Sequence, residues 1–338
     1  MPVRRLSERQ RARIHQIHDQ RRQRLDQRAL DALDQAEIDQ PQQGLVVVRH
    51  GADLAVEDQQ GRVWHCLARQ NIGHPVCGDR VVWQATGPDR GVVTAIRERA
   101  SRLARPDYSG RTKPLAANLT QLVVVLAPQP EPSTYLLDQY LAAAEGMGVA
   151  ALIACNKTDL LAAPAREALA ERLAPYPRIG YPLVWLSLHG GEGLAPLAER
   201  LAGETSILVG QSGVGKSSLV KALLPDLEIQ IGRLSQATGL GRHTTSTASC
   251  YHLPRGGHLI DSPGVRSFRL SLDDPAELVS GFREIAPLIG HCRFANCRHD
   301  REPGCALKAA IAAGELHPER LANFLHLAAA LERSGKRY

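Results

Sequence analysis

The stretch Ser206-Ile207-Leu208-Val209-Gly210-Gln211-Ser212-Gly213-Val214-Gly215-Lys216-Ser217-Ser218 leaves few folds open. An apolar run enters a G-x-x-x-x-G-K-[ST] loop and a helix-like segment leaves it, the pattern of a phosphate-binding loop between a parallel strand and a helix. Its glycines let backbone N–H groups turn inward around the α- and β-phosphates. Lys216 is expected to reach the β- and γ-phosphates, and Ser217 to ligate Mg²⁺. Around it, strands and helices alternate. Leu122–Leu126, Ala151–Cys155, Leu183–Leu186 and Ser206–Val209 read as strands; Ser133–Glu145, Pro164–Leu173 and Leu194–Ala202 read as helices. Such alternation predicts a mostly parallel sheet covered on both faces.

The order of the other motifs is unusual. Asn156-Lys157-Thr158-Asp159 precedes the phosphate loop, whereas Thr244-Thr245 and Asp261-Ser262-Pro263-Gly264 follow it. An ordinary GTPase puts the phosphate loop first and the base-reading NKxD near its end, so this α/β domain reads as circularly permuted. Asp159 can accept from both N1–H and the exocyclic amine of guanine. Adenine offers neither donor there and would leave a buried carboxylate unpaired. Asn156 can approach the O6/N7 side of the base or brace the phosphate loop, and the Lys157 stem can cover the base. Ser187-Leu188-His189, at the end of the next strand, would pass backbone N–H groups to the base. A nucleotide kinase or ATPase would not need this set.

Asp261 ends the apolar run His258-Leu259-Ile260, where a carboxylate can hold Mg²⁺ through water, and the Gly264 N–H can meet the γ-phosphate. Thr244 and Thr245 lie in a Gly-rich stretch and are the expected switch threonines. One of them would ligate Mg²⁺ only with GTP bound. The sequence does not distinguish the two, and Thr245 is assigned the role beside Ser217 and Asp261. Many GTPases carry a Gln after the DxxG glycine to orient the attacking water. Here Val265 stands there, and His243, beside the switch threonines, is the substitute candidate.

Cys292-x4-Cys297-x-His299-x5-Cys305 is a closed Cys₃His set of soft ligands, the composition of a structural Zn²⁺ site without an open catalytic position. Helical segments at 305–313 and 318–333 surround and follow it. From Gly44 to Arg99 the pattern is short and β-like, with strands at Leu45–Val48, Arg62–Leu67, Arg80–Trp83 and Val92–Ile96 between Gly-rich turns. A small barrel of OB-fold type is the economical reading. Residues 100–118, with Pro106, Gly110 and Pro114, read as a linker. Residues 1–28 hold nine arginines against Glu8, Asp19 and Asp26, which accounts for the whole net charge of +6. That basicity belongs to an arm suited to RNA phosphates, unfolded alone. The expected division is therefore an arm at 1–40, a barrel at 41–105, a permuted GTPase domain at 106–270 and a helical zinc-binding domain at 271–338.

The phrases GQSGVGKSS (210–218), GRHTTS (241–246), DSPGVR (261–266) and the Cys₃His set closely resemble those of one family. It is the ribosome-small-subunit-dependent GTPase A family, also called RsgA or YjeQ. Lys113-Pro114-Leu115-Ala116-Ala117-Asn118 fits the same likeness, which covers roughly residues 40–330. The resemblance implies an OB domain, a permuted G domain and a zinc domain. It implies a role in late maturation of the small (30S) ribosomal subunit, with rRNA as partner, and GTP hydrolysis to GDP and phosphate that the subunit stimulates. In that family the histidine of the GRHTT loop is assigned to catalysis, which falls on His243. The competing reading is a GTP-regulated RNA-binding module of another pathway, with incidental hydrolysis.

No apolar stretch approaches the roughly 20 residues that span a bilayer. The N-terminus lacks a signal-peptide core, and seven cysteines, an odd number, do not make a disulfide framework. A cytoplasmic monomer that does not touch membranes is expected.

Overall fold

A computed structural model describes residues 40–106, 112–190, 193–238, 248–261 and 275–333. The arginine-rich arm, His243, Thr244, Thr245 and Gly264 lie outside the described residues.

Strands β1 (Gln42–His50), β2 (Asp53–Glu57), β3 (Val63–Ala68), β4 (Arg80–Gly87) and β5 (Arg90–Ile96) close a five-stranded barrel in the order β1-β2-β3-β5-β4, with β4 returning to β1. Val46, Leu54, Val56, Cys66, Val81, Trp83 and Val93 fill it, each from an inward position of its strand. Strand β2 has no counterpart in the sequence reading. Asp53 and Glu57 flank only three apolar residues, too few to show a period, and pairing on both sides creates the strand. Trp83 is core, whereas half-buried Trp64 stacks on it at 4.9 Å beneath the Arg62 guanidinium.

Residues 100–118 are not an irregular linker. Strands β6 (Arg102–Pro106) and β7 (Thr112–Ala117) form an antiparallel pair. A two-stranded ribbon has open edges, so its prolines leave few ladder donors missing. Ser101 and Asn118 fasten it, the latter through hydrogen bonds between its side chain and Ala100 N (2.9 Å) and Gly78 O (2.8 Å).

The second layer holds β8 (Gln121–Leu126), β9 (Ala150–Cys155), β10 (Leu183–Trp185), β11 (Thr205–Val209), β12 (Ala248–His252) and β13 (His258–Asp261). Their order is β10-β9-β8-β11-β13-β12, parallel except for β12. Strands late in space come early in the chain, so the permutation read from motif order is also visible in the sheet. One edge continues into the barrel, because β12 pairs antiparallel with β1 at Val48↔Ser249 and Arg49↔Ala248. The helix Leu227–Thr238, which the sequence reading did not assign, precedes β12 and packs on β2 and β3.

The helix Thr134–Met147 is set by its ends. The Ser133 hydroxyl accepts from Leu136 N at 3.2 Å, and Gly148 turns left-handed so that it and Val149 cap the last carbonyls. Helices Pro275–Ser280, Ala306–Ala312 and Pro318–Arg333 enclose a separate core of Leu278, Phe282, Ile285, Leu307, Phe324 and Leu327, which also takes in Ala142 of that helix.

Candidate functional site

The C-terminal ends of β8, β9, β11 and β13 meet at one edge of the sheet, where ligands of open α/β folds bind. The phosphate loop begins where β11 ends. Gly210 has φ +137°, and a Cβ there would lie 2.2 Å from the Val125 carbonyl oxygen. Gly215 has φ +96° and faces the Asn156 amide, which a Cβ would meet at 2.5 Å. Both positions demand glycine through backbone shape and close approach. Gln211, Ser212, Gly213 and the buried Val214 complete the turn, and Lys216, Ser217 and Ser218 begin the helix Lys216–Leu223. Its free N–H groups and dipole favour an anion. The Lys216 ammonium, nearly buried, donates to the carbonyls of Gly210 (2.7 Å) and Gln211 (2.6 Å), so it already lies over its own loop.

The Asn156–Asp159 segment locks onto this loop. The Asn156 side-chain amide donates to Val214 O at 2.9 Å, so of the two roles open in the sequence the structure shows bracing. Its Oδ1 is buried without a hydrogen-bond partner among the described residues, an acceptor that a ligand donor would satisfy. Lys157, at φ +61°, sends its ammonium to Gly213 O (2.6 Å) and Gln129 O (3.3 Å), which lays its stem between the strand end and the loop. Thr158 donates through Oγ1 to Leu186 O at 3.2 Å and fastens this turn to the chain leaving β10. Ser187 donates from its hydroxyl to Asp159 Oδ1 and accepts from His189 N at 3.0 Å. The serine thus orients the carboxylate.

Asp261 ends β13, beside β11, on the same edge of the sheet as Ser217. A hydroxyl and a carboxylate are oxygen donors suited to a hard cation such as Mg²⁺. The carbonyls of Val125 and Gln129 also shape the site, and no sequence motif announces them because the backbone supplies them. A separate cavity of about 330 Å³, lined by Gln43, Glu57, Arg80, Arg97, Thr205 and His258, lies at the opposite strand ends and is not part of this site.

Cys292, Cys297, His299 and Cys305 converge, with all four ligand atoms within 4.8 Å of one another. Cys292 Sγ lies 4.0 Å from Cys305 Sγ, and His299 Nδ1 lies 3.4 and 3.5 Å from these two sulfurs. A tetrahedral Zn²⁺ separates two sulfurs by about 3.8 Å and a sulfur from a nitrogen by about 3.6 Å. All four donors therefore have the chemistry for the ion, and Cys292, His299 and Cys305 already stand at its spacing. His299 sits at φ +63°, which turns its ring back toward the cysteines.

Residues 96–271, just over half of the chain, match the family described as RsgA GTPase. Two curated relatives, from Azotobacter vinelandii and Ectopseudomonas mendocina, are 45% and 44% identical, and each alignment covers 98% of both chains. Both are named small ribosomal subunit biogenesis GTPase RsgA. Among solved structures, YjeQ from Thermotoga maritima is 31% identical with a TM-score of 0.69, over 86% of this chain and 99% of its own. YloQ, described as a circularly permuted GTPase, is 28% identical with the same TM-score, over 88% of this chain and 98% of its own. With its motifs, permuted sheet and full-length likeness in accord, the chain belongs to the RsgA GTPase family.

Proposed function

We propose that this GTPase acts in biogenesis of the small ribosomal subunit, binding the 30S particle and hydrolysing GTP to GDP and phosphate when the particle stimulates it. The observation that carries the reading is the meeting of Asp159, held by Ser187, with a phosphate loop braced by Asn156. Guanine recognition and phosphate binding are thereby one rigid unit, and the names of the full-length relatives supply the particle.

The residues divide the work as follows. Asp159 reads the guanine N1–H and amine, while Asn156 and Lys157 hold the loop at a fixed distance from the base. Backbone N–H groups of the loop beyond Gly210 wrap the phosphates, and Lys216 exchanges its own loop's carbonyls for phosphate oxygens. Ser217, Asp261 and Thr245 would hold Mg²⁺, which would supply positive charge against the phosphates. Gly264 contributes an N–H to the γ-phosphate, and His243 stands in for the missing glutamine in orienting water. Four protein ligands close the zinc site, so its ion is structural.

The division into an RNA-binding arm (1–40), a barrel (41–105), a permuted GTPase domain (106–270) and a zinc domain (271–338) gives several surfaces for rRNA, whose affinities multiply when linked. The protein works as a cytoplasmic monomer; no helix among the described residues is long and apolar enough to cross a membrane.

The test is GTP hydrolysis alone, with purified small subunits, and with large subunits as control. Stimulation by small subunits only supports the reading; a flat rate in all three rejects it. His243→Ala should reduce stimulated hydrolysis while sparing GTP binding, and equal loss of both would remove the histidine from catalysis.

A further inference from the structure

The helix Thr134–Met147 is buried on two sides that serve different parts of the molecule. Leu137, Tyr140, Leu141 and Ala144 face the sheet and join its core. Tyr140 is fully buried, and its hydroxyl is hydrogen-bonded to the backbone of Gly210, the first residue of the phosphate loop. Gly210 also lies so near the Val125 carbonyl of β8, the strand that leads toward this helix, that no Cβ would fit between them. One helical face is therefore fitted to the place where the loop begins.

The other face carries Tyr135, Asp138, Ala142 and Glu145, at the spacing of a single stripe. Every one of them touches the Cys₃His module. Asp138 accepts from Arg320 (2.6 Å), Asn323 (2.7 Å) and Tyr176 (2.9 Å). Arg320, 2% exposed, also bonds Glu284 at 2.6 and 2.9 Å. Ala142 meets Gly281 so closely that a Cβ on the glycine would lie 2.6 Å from the alanine's own. Glu145 accepts from Arg283 Nε at 2.8 Å, and that guanidinium covers the Tyr181 ring. Tyr135 stacks on His326 at 4.6 Å.

We propose that this helix is the element through which the phosphate loop and the Cys₃His module sense one another, with Tyr140 as the positioning residue on the loop side and the Asp138–Arg320 joint as the fixed attachment on the module side. The proposal rests on the nucleotide reading of the loop. A packed helix cannot deform continuously, so a shift of Gly210 when phosphates enter is passed on as a shift of the whole helix. The polar joint, saturated with hydrogen bonds, carries the module with it. Binding at either end is then coupled to the other, in both directions.

The experiment is backbone hydrogen exchange on the full chain, nucleotide-free, with GDP and with a non-hydrolysable GTP analogue, alongside GDP affinity. In the native chain, saturating nucleotide should change exchange in residues 275–333 as well as in the loop. Tyr140→Phe keeps the ring and removes the hydroxyl. It should weaken GDP binding about five-fold, the effect of one lost hydrogen bond. At saturating GDP it should abolish the response of residues 275–333 while the loop still responds. Arg283→Ala, which removes the partly exposed Glu145 contact beside the joint, should diminish the module's response without changing the loop's. A purely structural role for Tyr140 would lower affinity and leave the module's response intact, and that result overturns the proposal. So does a native module that ignores bound nucleotide. Failure of the native chain to bind guanine nucleotide would instead sink the nucleotide reading itself.

Discussion

Arg320→Leu tests how the C-terminal module is held. The guanidinium makes three charge-assisted hydrogen bonds, to Asp138 and to both oxygens of Glu284, and lies on the Phe282 ring at 4.4 Å. Burial alone would lower its pKa, yet Glu284 and Asp138 raise it above the ordinary arginine value, so it stays charged. Burial pushes the Asp138 carboxyl upward, against the donors Arg320, Asn323 and Tyr176 that hold its ionised form. Three bonds at about 1.5–3 kcal/mol each would overstate the effect, because forming the network also costs desolvation. Breaking one partner of a buried pair costs about 3–5 kcal/mol, mostly from the charge left behind. For a unit this small the urea slope is about 1 kcal/mol per M, so the midpoint of the module should fall by several molar. Two optical probes separate the parts. Trp64, Trp83 and Trp185 all lie in the barrel or the sheet and none in residues 275–333, whereas ellipticity at 222 nm reports the module's helices too. The expected result is an early loss of ellipticity that tryptophan fluorescence does not follow. Adding Asp138→Asn should recover part of the loss by removing an uncompensated charge. Coincident transitions shifted by less than about 1 kcal/mol, or no recovery in the double variant, would refute the reasoning.

Three further outcomes follow from the site and its surroundings. Asp159→Asn replaces an acceptor with an amide that can donate to a carbonyl at C2, so GTP affinity should fall roughly 10²- to 10³-fold while xanthosine triphosphate gains; competition binding checks this, and unchanged GTP preference removes Asp159 from base reading. Stripping the Cys₃His site with a strong chelator, or Cys297→Ser, should cost helical ellipticity while barrel and sheet fluorescence persists, and zinc should restore it; indifference to the metal would contradict a structural site. His252 has its pKa raised by its hydrogen bond to Glu57 on the barrel, against burial, so its stabilisation is full below the unfolded value near about 6.5 and is lost as pH rises through the raised one. His258, 4.8 Å from it, is lowered by burial and by the His252 charge, and its contribution is lost instead as pH falls below that value. Glu57→Gln should bring the His252 titration back toward the ordinary range by NMR, and an unmoved titration would show that the pair does not form.

The residues assigned here to a nucleotide or a metal stand out along the chain because such chemistry requires contiguity. A phosphate cradle needs successive N–H groups, so Gly210 through Ser217 must be one run, and a compact Cys₃His set is most easily closed by a short loop, so Cys292 to Cys305 are near neighbours. Motif order alone disclosed the permutation, since it concerns only where the chain is cut. The barrel was legible from four of its strands, but β2 was not, because pairing rather than apolar content makes it a strand. The strand pair at 102–106 and 112–117 was hidden by its own prolines, which usually mark loops and here sit in a ribbon that tolerates them. Only the tertiary structure decided how the parts are joined. The β1–β12 pairing that merges barrel and sheet depends on backbone groups, which are the same for nearly every residue. Asp138 and Arg320 are 182 positions apart, and each alone resembles an ordinary surface charge on an amphipathic helix. Their burial against one another comes from docking two separately formed cores, and packing at that distance leaves no periodic trace in the sequence.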